Sequence, residues 1–377
     1  MKRVLLLVLN NFKNDSRVLK EAISLKKGGY DVQVVALHDR GQKVYEKIEE
    51  IPVHRIELKS RNWSKKSFVQ LLKYIEFTYR VLKNYRKYEI IHCNDLNTLP
   101  IGVLIKFLHK DAKIVYDAHE YETQTEGLSG IQKVLVKWLE QRLIKHANKV
   151  ITVSNSIASE YRRIYGIEKP TLILNTPPLL DINKQDLFRE KLNIGKDKTI
   201  FLYQGGLSSG RGIEILLETF KQIDDNRSVI VFMGYGELEE IVKKASREYS
   251  NIYFHPAVSP KVLLDYTSSA DFGISTIEDS CLSYRYCLPN KMFEYLMARL
   301  PVVVSNLPEM KKIVEEYKVG VIAKDNTPEA LQNAIMEACK LDLNMIQENI
   351  EQVREIYNWQ EQEKVLLDLY KRVANGA

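Results

Sequence analysis

A chain of 377 residues with 45% hydrophobic and 28% charged residues is longer than one hydrophobic core usually serves, and it shows no low-complexity segment. These values exclude a disordered chain and predict an α/β protein of two domains. The formal charge of +6 conceals a division: residues 1–175 carry 31 Lys+Arg against 19 Asp+Glu, a balance of +12, and the remainder balances at −6.

The chain opens with an apolar run at 4–9 behind Lys2 and Arg3. The run is too short for a secretory leader, lacks a small-residue cleavage site and meets Asn10, Asn11 and Lys13 at once, so it reads as a buried first strand. No later stretch approaches the roughly 20 apolar residues that span a bilayer, and the expected location is the cytoplasm. A helix at 17–27, closed by Gly28-Gly29, leads to strand-like runs at 31–36, 53–58, 90–93, 113–116, 149–153 and 171–174, with a further helix at 131–146. Such alternation predicts parallel sheets covered by helices.

Within this basic half, 59–87 holds nine cations (Lys59, Arg61, Lys65, Lys66, Lys73, Arg80, Lys83, Arg86 and Lys87) against Glu76 alone. Trp63, Phe68, Leu71, Leu72, Ile75 and Val81 are interleaved with them. Two readings stand side by side: a helix lying on an anionic membrane surface at the inner face of the cell membrane, or a solvated helix whose apolar stripe packs on the sheet.

The alternation breaks at Asn175-Thr176-Pro177-Pro178, because consecutive prolines cannot donate to a ladder and restrict the residue before them. The domains are therefore expected at 1–175 and 176–356, with a C-terminal helix at about 357–377 packing back on the first. Strands restart at 199–203 and continue at 228–233, 251–254, 272–275, 302–305 and 320–322. Cys93, Cys281, Cys287 and Cys339 show neither C-x-x-C spacing nor a histidine cluster, which predicts reduced structural thiols and no zinc.

Ligands of doubly wound sheets bind beyond the carboxyl ends of the strands, so the loops after these runs carry the chemistry. The segment Tyr203-Gln204-Gly205-Gly206-Leu207-Ser208-Ser209-Gly210-Arg211-Gly212 joins a strand to a helix starting near Ile213. Its glycines let backbone approach an anion, the helix offers unpaired amides, and Arg211 adds a permanent charge, a combination suited to a diphosphate. It lacks the G-x-G-x-x-G of a nicotinamide site. Gly234-Tyr235-Gly236, after the next strand, offers a second close approach. Lys291 and Glu294, three apart after Cys287-Leu288-Pro289-Asn290, share one helical face near its start, where a carboxylate can accept ribose hydroxyls while the lysine faces phosphate.

Taken in order, these segments resemble the retaining glycosyltransferase family 4, a nucleotide-sugar-dependent family with the GT-B fold of two facing Rossmann-like α/β domains. The resemblance also covers Asn14-Asp15-Ser16-Arg17-Val18, Tyr116-Asp117-Ala118-His119-Glu120, Ile151-Thr152-Val153-Ser154 and Tyr357-Asn358-Trp359, and so spans nearly the whole chain. It implies that Glu294 holds the donor ribose, that Arg211 and Lys291 hold the diphosphate, and that backbone around His255, Ala257 and Val258 holds the base; Gly205, Gly206, Gly234, Tyr235, Gly236 and Asn290 complete the candidate donor-binding set. It implies that His119 faces the donor sugar, with Asp117 and Glu120 available as carboxylates, although a histidine beside those acids is equally a structural residue. Asn11, Asn14, Asp15 and Arg17 join the sugar or acceptor loop.

Two positions depart from the family pattern. An Arg followed five positions later by Lys is usual in the phosphate loop; here those positions are Gly206 and Arg211, with Lys291 the candidate replacement. A first glutamate eight positions before the ribose-binding one is replaced by Tyr286, with Glu278, Ser283 and Tyr284 in the candidate substitute loop.

The reaction implied is transfer of a hexose-type sugar from a nucleotide diphosphate, with a UDP-sugar favoured, to a glycan or lipid-linked acceptor of surface polysaccharide or capsule assembly. Leaving-group charge met by fixed cations and helix amides needs no metal, and the sequence contains no Asp-x-Asp. No cofactor is expected beyond the co-substrate. A nucleotide-sugar epimerase of the same architecture is the alternative enzyme; a basic nucleic-acid- or membrane-binding protein without catalysis ranks below it, no nucleic-acid recognition module accompanying the basic half.

Overall fold

The computed structural model describes residues 1–64 and 66–376; Lys65, one of the nine cations expected at 59–87, and Ala377 lie outside the described residues. The chain forms two compact units, Met1–Ile173 with Glu363–Ala377, and Leu174–Gln362.

The first unit follows the order β1 (Arg3–Leu7), α1 (Ser16–Lys27), β2 (Asp31–Leu37), β3 (Tyr45–Ile48), β4 (Ile51–Ile56), α2 (Ser67–Tyr85), β5 (Ile90–Asn94), α3 (Leu99–Leu108), β6 (Lys113–Ala118), α4 (Gly130–Leu143), β7 (Lys149–Thr152), α5 (Asn155–Tyr165) and β8 (Thr171–Leu172). Its sheet runs β3-β4-β2-β1-β5-β6-β7-β8. All pairings are parallel except β3 with β4. Val4 to Leu7 and every residue of β5 are buried, as strands covered on both faces must be.

The sequence reading missed β3. Tyr45 and Lys47 are exposed and Glu46 and Ile48 half-buried, and Glu49-Glu50 turns the hairpin with both residues at positive φ, a conformation usually signalled by Asn-Gly or Asp-Gly.

Helix α4 is built unusually. Among α4 residues only Glu140 is buried, and its carboxylate accepts hydrogen bonds from Tyr116 (2.7 Å), Tyr161 (2.8 Å) and Tyr165. A polar anchor therefore seats this helix where an apolar stripe ordinarily would.

In the second unit the order is α6 (Leu187–Leu192), β9 (Thr199–Gly206), α7 (Ile213–Gln222), β10 (Ser228–Tyr235), α8 (Glu239–Glu248), β11 (Ile252–Pro256), α9 (Leu263–Thr267), β12 (Phe272–Ser275), α10 (Leu282–Arg285), α11 (Asn290–Met297), β13 (Val302–Ser305), α12 (Pro308–Tyr317), β14 (Gly320–Ala323), α13 (Pro328–Ala338) and α14 (Leu343–Ile356). The sheet is wholly parallel, β11-β10-β9-β12-β13-β14. Alternation along the strands divides the core: Leu202, Val302 and Val304 face one layer with Met292, and Phe201 and Val303 face the other with Leu331. The expected strands at 199–203 and 228–233 run on through their glycines, because Gly205 pairs opposite Gly234 and Gly206 opposite Tyr235.

Helix α15 (Trp359–Asn375) closes the chain. Within the first unit its Tyr370 lies edge-on to Tyr30, with ring centroids 5.5 Å apart, and bonds the His92 ring through its hydroxyl at 2.6 Å.

Glu140→Ala would leave three tyrosine hydroxyls without their acceptor. The expected loss is about 3 kcal/mol in denaturant unfolding, with Glu140→Gln falling between variant and wild type. A change below about 1 kcal/mol would contradict the anchoring role.

Candidate active site

The carboxyl ends of β9, β10 and β12 and the start of α11 bring together the residues expected to meet a diphosphate. Lys291, in the first turn of α11, is buried, and its ammonium lies 3.6 Å from the centroid of the Tyr203 ring. It has no hydrogen-bond acceptor. Burial, and then the charge of Arg211, hold the amine well below the usual lysine range, against a smaller opposing pull from Glu294. The Arg211 guanidinium stacks over Tyr284 at 5.0 Å. Two cations thus share one locality.

Glu294 is oriented from beneath. Its carboxylate accepts from the Gln204 amide at 2.6 Å, and the Gln204 carbonyl accepts from the Thr267 hydroxyl at 2.8 Å. The Tyr295 hydroxyl accepts from the Gln204 amide N–H at 2.9 Å and donates to the Ile274 carbonyl at 3.1 Å. Sequence reasoning quoted Gln204 without assigning it a role; the signal was a polar residue at a strand position otherwise flanked by core.

The Arg211 loop is tied to the loop after β12. Thr276 donates its hydroxyl to the Arg211 carbonyl at 3.2 Å, and Glu278 N–H donates to the Gly210 carbonyl at 3.0 Å. Glu278 and Tyr284 therefore belong to the same locality as Arg211, and Ser283 is buried between them in sequence. A bidentate Arg285–Asp279 pair braces that loop.

The glycines divide by cause. Gly205 has φ +120°, and a Cβ there would come 3.7 Å from Lys291 Cε, so this backbone lies directly against the cation. Gly234 and Gly236 were read as a second close approach to ligand; the structure adds a packing reason for each. A Cβ on Gly234 would meet the Gly205 carbonyl at 1.9 Å, and one on Gly236 the Leu207 carbonyl at 2.3 Å. Those two glycines let one loop lie on the other, joined further by Ser209 N–H to Glu237 at 3.1 Å. Tyr235 is exposed beside them, and Asn290 is exposed at the start of α11. At the end of β11, His255 is buried against Phe188 and Tyr266 and bonds the Pro256 carbonyl at 2.7 Å, whereas Ala257 is exposed and Val258 half-buried.

In the first unit a second charged cluster lies at the ends of β5 and β6. His119 meets a carboxylate on each ring nitrogen, Asp95 at 3.3 Å and Asp117 at 3.1 Å. Burial alone would lower its pKa, but the two carboxylates outweigh burial and raise it to about 10, so the ring is an imidazolium near neutrality. Arg17 grips Asp117 with two bonds of 2.9 Å. Burial opposes ionisation of Asp117, yet Arg17 and His119 carry its pKa well below the carboxylate range.

Glu21 lies 3.3 Å from Arg17 and 3.5 Å from His92, all buried. Burial first and Asp117 second push its carboxyl up to about 8. Burial holds His92 below the usual imidazole range. Glu21, His92 and Asp117 could offer three ligand atoms within 4.8 Å to a metal ion, but the Arg17 guanidinium already fills the cationic place among them.

Residues 16–176 match Glycosyltransferase Family 4, and residues 184–355 match Glycosyl transferases group 1. The chain is a glycosyltransferase of the GT-B type. It is 24% identical over 238 residues to a putative teichuronic acid biosynthesis glycosyltransferase, TuaH, of Bacillus subtilis, covering 61% of this chain and 59% of that one. Among solved structures, sucrose-phosphate synthase from Thermosynechococcus elongatus matches with a TM-score of 0.82 at 18% identity over 100% of both chains. Anabaena Alr3699/HepE in complex with UDP-glucose matches with a TM-score of 0.77 at 16% identity, over 98% of this chain and 100% of that one.

Within this glycosyltransferase, Arg17 is 4% exposed and Asp117 fully buried, each held against the other. Their mutual charge neutralisation inside the unit explains the burial, and Asp117 also meets His119. Asp15 accepts from Val18 N–H at 3.2 Å as the cap of α1 and from Asn10 at 2.8 Å. Asn14 is exposed and Asn11 half-buried, while Glu120 is exposed at the end of β6. Asp95 was missed altogether. It sits at positive φ (62°), which turns its carboxylate to His119, and only its place at a strand's carboxyl end signalled it.

Both raised groups act in one direction on stability. Glu21 contributes fully below its ordinary value of 4.5 and loses that contribution as pH rises through about 8; His119 does so between 6.5 and about 10. These two groups should therefore lose stability on going from near pH 6 to near pH 9, while Lys291, with its lowered pKa, acts in the opposite direction. Glu21→Gln should lose less over that range, and an equal loss in variant and wild type would contradict the protonated carboxyl.

Proposed function

We propose that this enzyme is a retaining hexosyltransferase that takes a UDP-sugar as donor and a glycan or lipid-linked acceptor of cell-surface polysaccharide. The observation that carries the donor assignment is the buried Lys291 ammonium, which lacks an acceptor beside the Gly205 backbone and the Arg211 guanidinium. An unpaired buried cation is costly, and a second cation beside it raises that cost. A diphosphate supplies the acceptor that Lys291 lacks.

On this reading Lys291 and Arg211 take the diphosphate, and Glu294, held by Gln204, accepts the ribose hydroxyls. The backbone at 255–258 takes the base. UDP is favoured as the carrier because HepE, which shares the fold, was crystallised with UDP-glucose. Surface polysaccharide is favoured because TuaH is named for teichuronic acid synthesis. His119, kept cationic by Asp95 and Asp117, is assigned to the transferred sugar.

The bond from the anomeric carbon to the β-phosphate oxygen breaks, and the electron pair leaves with UDP. The two fixed cations stabilise that charge in the place a metal would otherwise occupy. The acceptor hydroxyl bonds the anomeric carbon on the same face, and its proton passes to the departing phosphate. Retention of configuration follows from that shared face.

Titration calorimetry with UDP tests the donor site. Binding should take up a proton, seen as a heat that varies with the ionisation enthalpy of the buffer, because the diphosphate restores the charge on Lys291. Lys291→Met should abolish that uptake and weaken UDP by about 10- to 100-fold. Unchanged affinity in Lys291→Met would contradict the assignment. Turnover of the UDP-sugar should also survive EDTA; its loss, restored by a divalent cation, would contradict the role given to the fixed cations.

A further inference from the structure

Helix α4 points its apolar residues outward. Ile131, Val134, Leu135 and Trp138 follow helical spacing and are 79%, 67%, 58% and 54% exposed. Glu140, its sole acid, is consumed by three tyrosines, so the charge that α4 shows to solvent is entirely positive: Lys133, Lys137 and Arg142. The Arg142 guanidinium lies 5.5 Å over the Trp138 ring, which places cation and indole at one level.

The neighbouring helices continue this surface. Strands β4, β5, β6 and β7 succeed one another across the sheet in one direction, apart from the two strands that separate β4 from β5, so right-handed crossovers place α2, α3 and α4 on one face. Helix α2 packs on α3, and α3 on α4. Lys106 of α3 also bonds the His146 carbonyl, at 2.8 Å, just beyond α4. Helix α2 buries Phe77 and Val81 inward and exposes Phe68, Leu71, Ile75 and Tyr79 outward. Its acid, Glu76, is bound to Arg80 and Ser60. Helix α3 contains no acid and exposes Leu104, Phe107 and Leu108. Between α3 and α4 runs a groove lined by Val103, Phe107, Trp138 and Leu143 with Arg142 and Lys145.

We propose that this layer, with α4 as its leading element, seats the N-terminal unit on an anionic lipid bilayer. The charge selects the occupant. A second copy of the chain would set cations against cations, whereas exposed apolar side chains interleaved with lysines, arginine and tryptophan match the boundary between acyl chains and negative headgroups. No helix among the described residues is long and apolar enough to cross a membrane, so the contact is in-plane. The sequence reading looked for this surface at 59–87; α4 carries the more complete apolar face, and α2 extends it. This inference is independent of the donor assignment, because it concerns the N-terminal unit and a readout without sugar.

The test is co-sedimentation of the full chain with phosphatidylcholine vesicles, with and without phosphatidylglycerol. Trp138 fluorescence is followed in a Trp63→Phe background, which leaves buried Trp359 as the other indole. Binding should require phosphatidylglycerol, fall with salt and shift the Trp138 emission to the blue. Val134→Glu with Trp138→Glu, and separately Lys133→Glu with Lys137→Glu, should weaken binding at least about tenfold while melting and UDP affinity stay unchanged. A wild type that ignores phosphatidylglycerol vesicles, or a Val134→Glu/Trp138→Glu variant that binds them like wild type, would overturn the proposal. So would a concentration-dependent dimer abolished by that variant, which would make a second copy the occupant.

Discussion

Two basic groups held close together, Lys291 and Arg211, organise the C-terminal unit. Lys291 is fixed by the first turn of α11 and by the Tyr203 ring, and Arg211 by a loop whose carbonyls are bonded to the strand end beyond β12. Neither can retreat into solvent without giving up those contacts. The repulsion is therefore built into the fold, and it sets the chemistry of whatever relieves it: a compact, multiply charged anion reached by backbone amides at glycine-rich strand ends.

The supporting residues serve that constraint. Gln204 places Glu294 through one amide and is placed through its other end by Thr267, so the carboxylate is held near the cations without collapsing onto them. The N-terminal unit solves the opposite problem. There Asp117 and Asp95 would be costly alone, and Arg17 and His119 neutralise them while Glu21 stays protonated. One unit keeps a buried amine without an acceptor beside a guanidinium, and the other balances its charges internally around a histidine.

Much of this was legible in the sequence, because parallel strands buried on both faces read as continuous apolar runs, as in 4–7, 302–305 and 272–275. The spacing of Lys291 and Glu294 gave their shared helical face. What was hidden had physical causes. The turn at Glu49-Glu50 adopts a left-handed geometry its residues do not advertise, so β3 escaped notice. The loop-on-loop packing that Gly234 and Gly236 allow does not show in their spacing. Asp95 and Arg17 depend on strands and helices distant in sequence. The outward stripe of α4 reads in sequence like any amphipathic helix; only the burial of Glu140 reveals which face is inside.

A crystal structure of the enzyme with UDP measures the central claim most directly. The account predicts β-phosphate oxygens within about 3 Å of Lys291 Nζ and of the Arg211 guanidinium, and ribose hydroxyls at a similar distance from Glu294. A nucleotide bound elsewhere, with the Lys291 amine still facing only the Tyr203 ring, would contradict it.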